Sequence, residues 1–148
     1  MSEFLDKVVY VSGAAGNLGQ AVAKLFLSKG AYVVALDIKD EALQMAYPNI
    51  SDRISTYGID LTDLIACKAL FGRLAKEEKI ADILCALTGG FAMGDPVHQT
   101  PIDILSQMFN LNVLTLVTLT SATVPYMQRK GGGKIITIGA NAAVSGLP

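Results

Sequence analysis

Histidine and cysteine are scarce in this chain, and neither sign of charge is in excess. Two cysteines, Cys67 and Cys85, and one histidine, His98, occur in 148 residues. The cysteine separation fits no zinc or redox motif, no metal-ligand set is present, and both thiols read as small buried apolar residues. His98 falls in a loop and reads as solvent-exposed, although it lies near where a substrate would sit. Twelve Lys and Arg stand against 13 Asp and Glu, for a net charge of −1. That balance excludes an electrostatic nucleic-acid binder, which needs a basic surplus to match phosphates. Charged residues make up 17% and hydrophobic residues 51%, against roughly 25% charged in ordinary domains, and such a composition excludes disorder. Met1 to Lys7 (MSEFLDK) carries two acids and no apolar run of signal-peptide length, so a cytoplasmic protein is expected. The one long apolar stretch, Leu111 to Val124, is interrupted by Asn112 and several Thr and Ser. It falls short of the ~20 residues of a membrane span, and no membrane association is expected.

Short β-branched runs alternate with helical periodicity, without repeats or linkers, which predicts one α/β domain over residues 1–148. Lys7 to Ser12 reads as a first strand. Leu18, Ala21, Val22, Leu25 and Phe26 then form a helical stripe that Gly30 stops. Tyr32 to Asp37 is a second strand, followed by a short helix over Glu41 to Tyr47 that ends before Pro48. Ile54 to Ile59 is a third strand, Asp60-Leu61-Thr62-Asp63 a helix cap, Leu64 to Glu78 a helix and Ala81 to Leu87 a fourth strand. Pro101 opens a long helix to about Lys130, three glycines break it, and Lys134 to Ile138 is a fifth strand. Strands joined by single helices require right-handed crossovers, hence a parallel sheet whose ligands lie beyond the carboxyl ends of its strands.

The loop after the first strand reads Ser12-Gly13-Ala14-Ala15-Gly16-Asn17-Leu18-Gly19. Glycines at positions 13, 16 and 19 between a strand and a helix suit a pyrophosphate, which must approach backbone N–H groups closely at a helix N-terminus. Asp37 lies 18 residues beyond Gly19, at the end of the second strand, where a carboxylate accepts hydrogen bonds from ribose hydroxyls. The same carboxylate repels a 2′-phosphate and Ile38 offers no compensating charge, so the expected cofactor is NAD(H); only Lys39 could offset this, were Asp37 turned away. Asp60, with Leu61 beside it, is placed either against the adenine edge or as the start of a helix cap. The doubly wound Rossmann-type sheet expected from these units has strand order 3-2-1-4-5.

These residues, with Thr88-Gly89-Gly90 after the fourth strand and Asn112 in the long helix, make the chain resemble the short-chain dehydrogenase/reductase family along its whole length. From the residues alone, a mid-helix Asn on an apolar helix reads equally as a hydrogen-bonded core amide. The resemblance implies instead that Asn112 holds a helix kink and a proton-relay water, a catalytic role. Within the family the dihydropteridine reductase-like branch is most similar, through Gly13–Gly19, Ile83–Phe91 and Gly139-Ala140-Asn141-Ala142-Ala143. Two departures stand out. Ala86-Leu87-Thr88-Gly89 replaces the family's Asn-Asn-Ala-Gly, and Ala140 stands where the family has a catalytic Ser.

The family's catalytic Tyr-x-x-x-Lys lies on the helix after the fifth strand, beyond Pro148. Tyr126 to Lys130 has the same spacing but falls at the far end of the preceding helix, away from the nucleotide. The chain is therefore expected to be the N-terminal part of a longer enzyme or a shortened descendant, lacking the later helices and strands. Strands four and five, apolar on both faces, should lack cover on one of them, and the helix over 101–130 should seek a second copy of the chain. The expected function is an NAD(H)-dependent oxidoreductase acting on a small-molecule carbonyl, alcohol or pterin-like ring, with Phe91, Met93 and Met108 candidates for the substrate side. A non-catalytic NAD-binding or interaction module is the alternative. A sugar-nucleotide epimerase shares the glycine spacing, but the Thr88-Gly89-Gly90 loop and the chain length argue against it.

Overall fold

The structure is a computed structural model that describes residues 3–49 and 51–141. Five strands, β1 (Val8–Ser12), β2 (Tyr32–Asp37), β3 (Ile54–Gly58), β4 (Ile83–Ala86) and β5 (Lys134–Thr137), form one parallel sheet in the order β3-β2-β1-β4-β5. Helices α1 (Asn17–Ser28), α2 (Asp40–Ala46) and α3 (Leu64–Lys76) connect the first four strands. Between β4 and β5 come a 3₁₀ turn, Val97–Gln99, then α4 (Ile102–Phe109), a π-helical segment (Asn110–Leu114) and α5 (Thr115–Lys130). Fold class and strand order are those expected from the sequence; β2 has the expected bounds, and each of the other strands is shorter than its expected run by one to three residues.

β1 is buried along its whole length and lies centrally, between β2 and β4. Successive side chains alternate across the sheet and separate two cores. Tyr10, Val34, Leu36 and Leu84 pack with Phe71 and Leu74 of α3 and Leu119 and Met127 of α5. On the other face Val9, Val11, Val33, Ala35 and Cys85 pack with Ala23 of α1 and Leu43 of α2. Both thiols are buried, and burial, reinforced for Cys67 by Asp63 and Asp60, pushes each up to about 11. They are packing groups.

One expectation is refined and two are corrected. The long helix is not uniform: the π segment opens its turn at Asn110–Leu114, where Asn112 Nδ2 donates to the Met108 carbonyl at 2.9 Å and Thr115 Oγ1 to the Leu111 carbonyl at 2.8 Å. Side-chain bonds back to the i−4 carbonyl compete with the helical ladder, and π segments of this kind cluster at functional sites. Second, the helical stretch Ile102–Lys130 is long and apolar enough to cross a membrane by length and composition, with a mean hydropathy of 1.4 in its most apolar window. Counting only the unbroken apolar run missed this, because α4 and the π segment extend it. Its Thr118, Leu119, Ala122, Thr123 and Met127 are buried. Third, β4 is covered on both faces, with Ile83, Leu84 and Cys85 all buried: Ile83 and Cys85 belong to the core that holds Ala23 of α1, and Leu84 to the core formed with α3 and α5. Among the described residues β5 is open, with Ile135 and Ile136 each 44% exposed on opposite faces of the edge.

Candidate functional site

The carboxyl ends of β1, β2 and β4 converge on a cleft of about 480 Å³. Its floor is the glycine loop. Gly13 has φ +63°, a left-handed conformation that favours glycine. Gly19 sits so close to the loop that an added Cβ would lie 2.1 Å from the Gly13 carbonyl oxygen. α1 can therefore begin directly over the end of β1 only with glycine there. Its N-cap, Gly16, supplies no side-chain acceptor, and no acid occupies the first turn. Among the described residues the N–H groups of Asn17, Leu18 and Gly19 have no acceptor, while Gln20 N–H is taken by the Gly16 carbonyl. An uncapped first turn of this kind presents both donors and the positive end of the helix dipole.

Asp37 faces this turn from the end of β2. Its Oδ2 accepts the Ala15 N–H at 2.9 Å and its Oδ1 the Ile38 N–H at 2.8 Å. The carboxylate is thus held against the loop rather than turned away, which leaves Lys39 at the cap of α2 and outside the cleft lining. Asp60 lines the same cleft, where Oδ1 accepts both the N–H and the hydroxyl of Thr62, holding the carboxyl below its usual range. The N-cap of α3 is Asp63, which accepts from Ile65 and Ala66. Asp60 therefore closes a turn ahead of the cap. Leu61 is buried beside it and also lines the cleft. Gly13, Ala15, Gly16, Asn17, Leu18, Gly19, Asp37, Ile38, Asp60, Leu61, Thr88 and Gly89 all line this one lobe.

Gly90 lies in an adjoining lobe of about 390 Å³, which shares Leu18, Leu87, Thr88, Gly89 and Thr115 with the first. Its other walls include Phe91, Asn112, Leu116, Ile138 and Ala140. Asn112 Oδ1 accepts the Gly90 N–H at 3.0 Å, so one side chain ties the π segment to the loop after β4. Glycines permit that approach: a Cβ at Gly89 would lie 2.9 Å from Asn112 Oδ1, and one at Gly90 2.4 Å from a Leu111 methyl. Asn112 is exposed rather than a core amide. Met93 and His98 line neither lobe, His98 sitting exposed in the 3₁₀ turn. Met108 holds Asn112 from below and lines neither lobe.

Two contributors escape sequence reasoning. Ser12, fully buried at the end of β1, accepts the N–H groups of Leu87 and Thr88 on its Oγ at 3.0 and 3.1 Å. It fastens the loop after β4, where the sequence shows no steadying Asn. Tyr47 donates to the Ala14 carbonyl at 2.7 Å from beneath the glycine loop, and burial, then the Asp37 charge, pushes its phenol up to about 12. A tyrosine at the close of the helix after β2 was its only signal. Thr88 Oγ1, where the two lobes meet, is buried without a hydrogen-bond partner.

Tyr126 and Lys130 lie away from this cleft, as their position at the end of α5 predicts. Lys130 Nζ pairs with Asp82 Oδ2 at 2.8 Å and donates to the Ile80 carbonyl at 3.0 Å, at the opposite edge of the sheet. Ala140 borders the second lobe, whereas Ala142 and Ala143 lie outside the described residues.

Known proteins resemble this chain in sequence and in fold. An NAD-dependent glycerol dehydrogenase of Listeria innocua is 32% identical over 96% of this chain and 56% of its own length. An NADP-dependent 3-hydroxy acid dehydrogenase, YdfG, of Salmonella typhi is 27% identical over 91% of this chain and 54% of its own. The crystal structure of an NAD⁺-bound xylitol dehydrogenase superposes with a TM-score of 0.91 and 26% identity, covering 99% of this chain and 57% of that one. The chain thus spans about half the length of the relatives it matches. Residues 7–148 match the short chain dehydrogenase family, and the chain belongs to it.

Proposed function

We propose that the chain forms the dinucleotide-binding part of an NAD(H)-dependent oxidoreductase acting on a carbonyl or alcohol. The observation that carries this reading is the uncapped first turn of α1, with Asn17, Leu18 and Gly19 N–H groups free, beside the Asp37 carboxylate. The residues fit the cofactor in three ways. The free N–H groups suit a pyrophosphate, the cradle at Gly13 and Gly19 leaves no room for a Cβ, and the unpartnered Thr88 hydroxyl needs a polar ligand group. Asp37 accepts from ribose hydroxyls, with Ile38, Asp60 and Leu61 around the adenine, and Thr88, Gly89 and Gly90 continue toward the second lobe. When bound, the nicotinamide donates or accepts hydride.

A carboxylate fixed at this position disfavours a 2′-phosphate, which is the basis for NAD(H) over NADP(H). Asn112 acts by holding the π segment to Gly90, a positioning role beside the second lobe. Relatives named for glycerol and 3-hydroxy acids are in keeping with a small hydroxylated substrate; a pterin-like ring rests on the three segment likenesses alone. The double variant Asp37→Ser with Ile38→Arg tests the cofactor reading. NADH affinity should fall and NADPH affinity rise, inverting the preference by about a hundredfold. An unchanged preference in a folded variant would refute the assignment of Asp37.

A second reading, a nucleotide-binding module without turnover, draws support from Ala140 at the border of the second lobe and from Tyr126 and Lys130 at the opposite edge. It differs by one outcome, saturable NADH binding with no hydride transfer to any carbonyl supplied. The apolar row Ile102, Leu105, Phe109, Val113 and Val117, exposed along one side of α4 and α5, is proposed to associate with a second copy of the chain.

A further inference from the structure

At the opposite edge of the sheet from the nucleotide cleft, the second halves of α3 and α5 frame a groove of about 790 Å³ that shares no residue with that cleft. Lys68, Arg73, Lys76 and Arg129 stand along it, with no acid among its lining residues. Ala69, Gly72 and Ala75 keep its floor low, and a Cβ at Gly72 would lie 3.1 Å from the Tyr126 hydroxyl. In a chain of net charge −1, neither α3 nor α5 carries a single acid. Cations in the last turns of both helices complement the helix dipoles, which accounts for Arg73, Lys76 and Arg129. It does not account for Lys68, two turns earlier, or for the missing acids. Lys68 and Lys76 make no ion pair or hydrogen bond within the described structure.

We propose that this groove binds an extended acidic peptide segment of a partner protein, its carboxylates set against Lys68, Arg73, Lys76 and Arg129. Lys68 and Lys76 lie about 12 Å apart along α3, with Arg73 between them. Same-face side chains of an extended peptide repeat every ~7 Å, so two such repeats roughly match the separation of Lys68 and Lys76. The aromatic faces exclude a single-stranded nucleic acid as the better occupant. Among the described residues lining the groove Tyr126 is the one aromatic, and Arg129 already lies over its ring at 4.5 Å, so no series of rings is offered to successive bases. A lipid surface is disfavoured because the cations line a concave groove without protruding apolar side chains to enter a bilayer.

The test is fluorescence anisotropy on the full chain with a fluorescein-labelled peptide of alternating glutamate and alanine. A labelled oligothymidylate and phosphatidylserine vesicles run in parallel. Saturable peptide binding is expected, weakened at least about tenfold by Lys68→Glu with Lys76→Glu and unaffected by Lys24→Glu on α1. Circular dichroism reports whether each variant is folded, and Lys68→Gln, which removes charge without reversing it, gives the same reading should the double reversal unfold. No saturable binding, equal losses from Lys24→Glu, or tighter binding of the oligonucleotide or vesicles would overturn the proposal.

Discussion

Asp82 and Gly19 show how single residues hold this molecule together. Asp82, immediately ahead of β4, is partly buried, which alone raises its carboxyl. The hydrogen bond from Lys130, the Val8 N–H and the charges of Lys130 and Lys7 outweigh burial and leave it below its ordinary value. A depressed folded-state value contributes stability above the ordinary carboxylate range that is lost as pH falls through the depressed value. Thermal unfolding followed from neutral pH to about pH 3 should therefore show a steeper acid loss for the native chain than for Asp82→Asn; parallel curves would remove Asp82 from the account. Gly19→Ala drives a methyl into the Gly13 carbonyl oxygen, a backbone atom that cannot swing aside. A loss of about 1–3 kcal/mol in denaturant unfolding is expected, with NADH affinity lowered further than stability alone explains. The glycine spacing and Asp37 were legible in sequence because each acts locally, within one strand-turn-helix unit. Ser12 was not, because its acceptor role joins residues 75 and 76 positions apart, and no local pattern records that pairing.

The stretch Ile102–Lys130 shows what periodicity reveals and conceals in an element. Its apolar spacing announces a helix, but a π turn widens the repeat over only five residues, too few to disturb the pattern. What makes the turn useful is Asn112, whose side-chain amide nitrogen donates to the Met108 carbonyl and whose oxygen accepts the Gly90 N–H. Asn112→Ala removes both bonds, for an expected loss of about 1–2 kcal/mol. Faster hydrogen exchange at the Gly90 amide is the specific signature, since a merely weakened fold would speed exchange evenly. The 3₁₀ turn Val97–Gln99 had no sequence signal, lying in a loop rich in glycine and proline. The β strands were legible because both faces of β1, β2 and β4 are buried, so their apolar runs are continuous.

For the whole molecule, two edges differ in character. The carboxyl edge gathers the glycine loop, Asp37, Asp60 and the loop after β4, while the far edge holds Lys130, Asp82 and the cationic groove. The apolar row on α4 and α5 is a further exposed feature, and sedimentation should show self-association that Phe109→Asp with Val113→Asp abolishes; association unchanged in that variant would place the contact elsewhere, for instance on β5. The apolar character of this helix was legible from composition, but which of its sides stayed open depended on how α5 packs against α3 and the sheet, a tertiary fact. The most direct measurement is calorimetric titration of the chain with NADH, NADPH and ADP-ribose. One saturable site is expected, with NADH at least about tenfold tighter than NADPH and ADP-ribose competing for it. No binding, or tighter binding of NADPH, would contradict the reading of the α1 turn and Asp37 as an NAD(H) site.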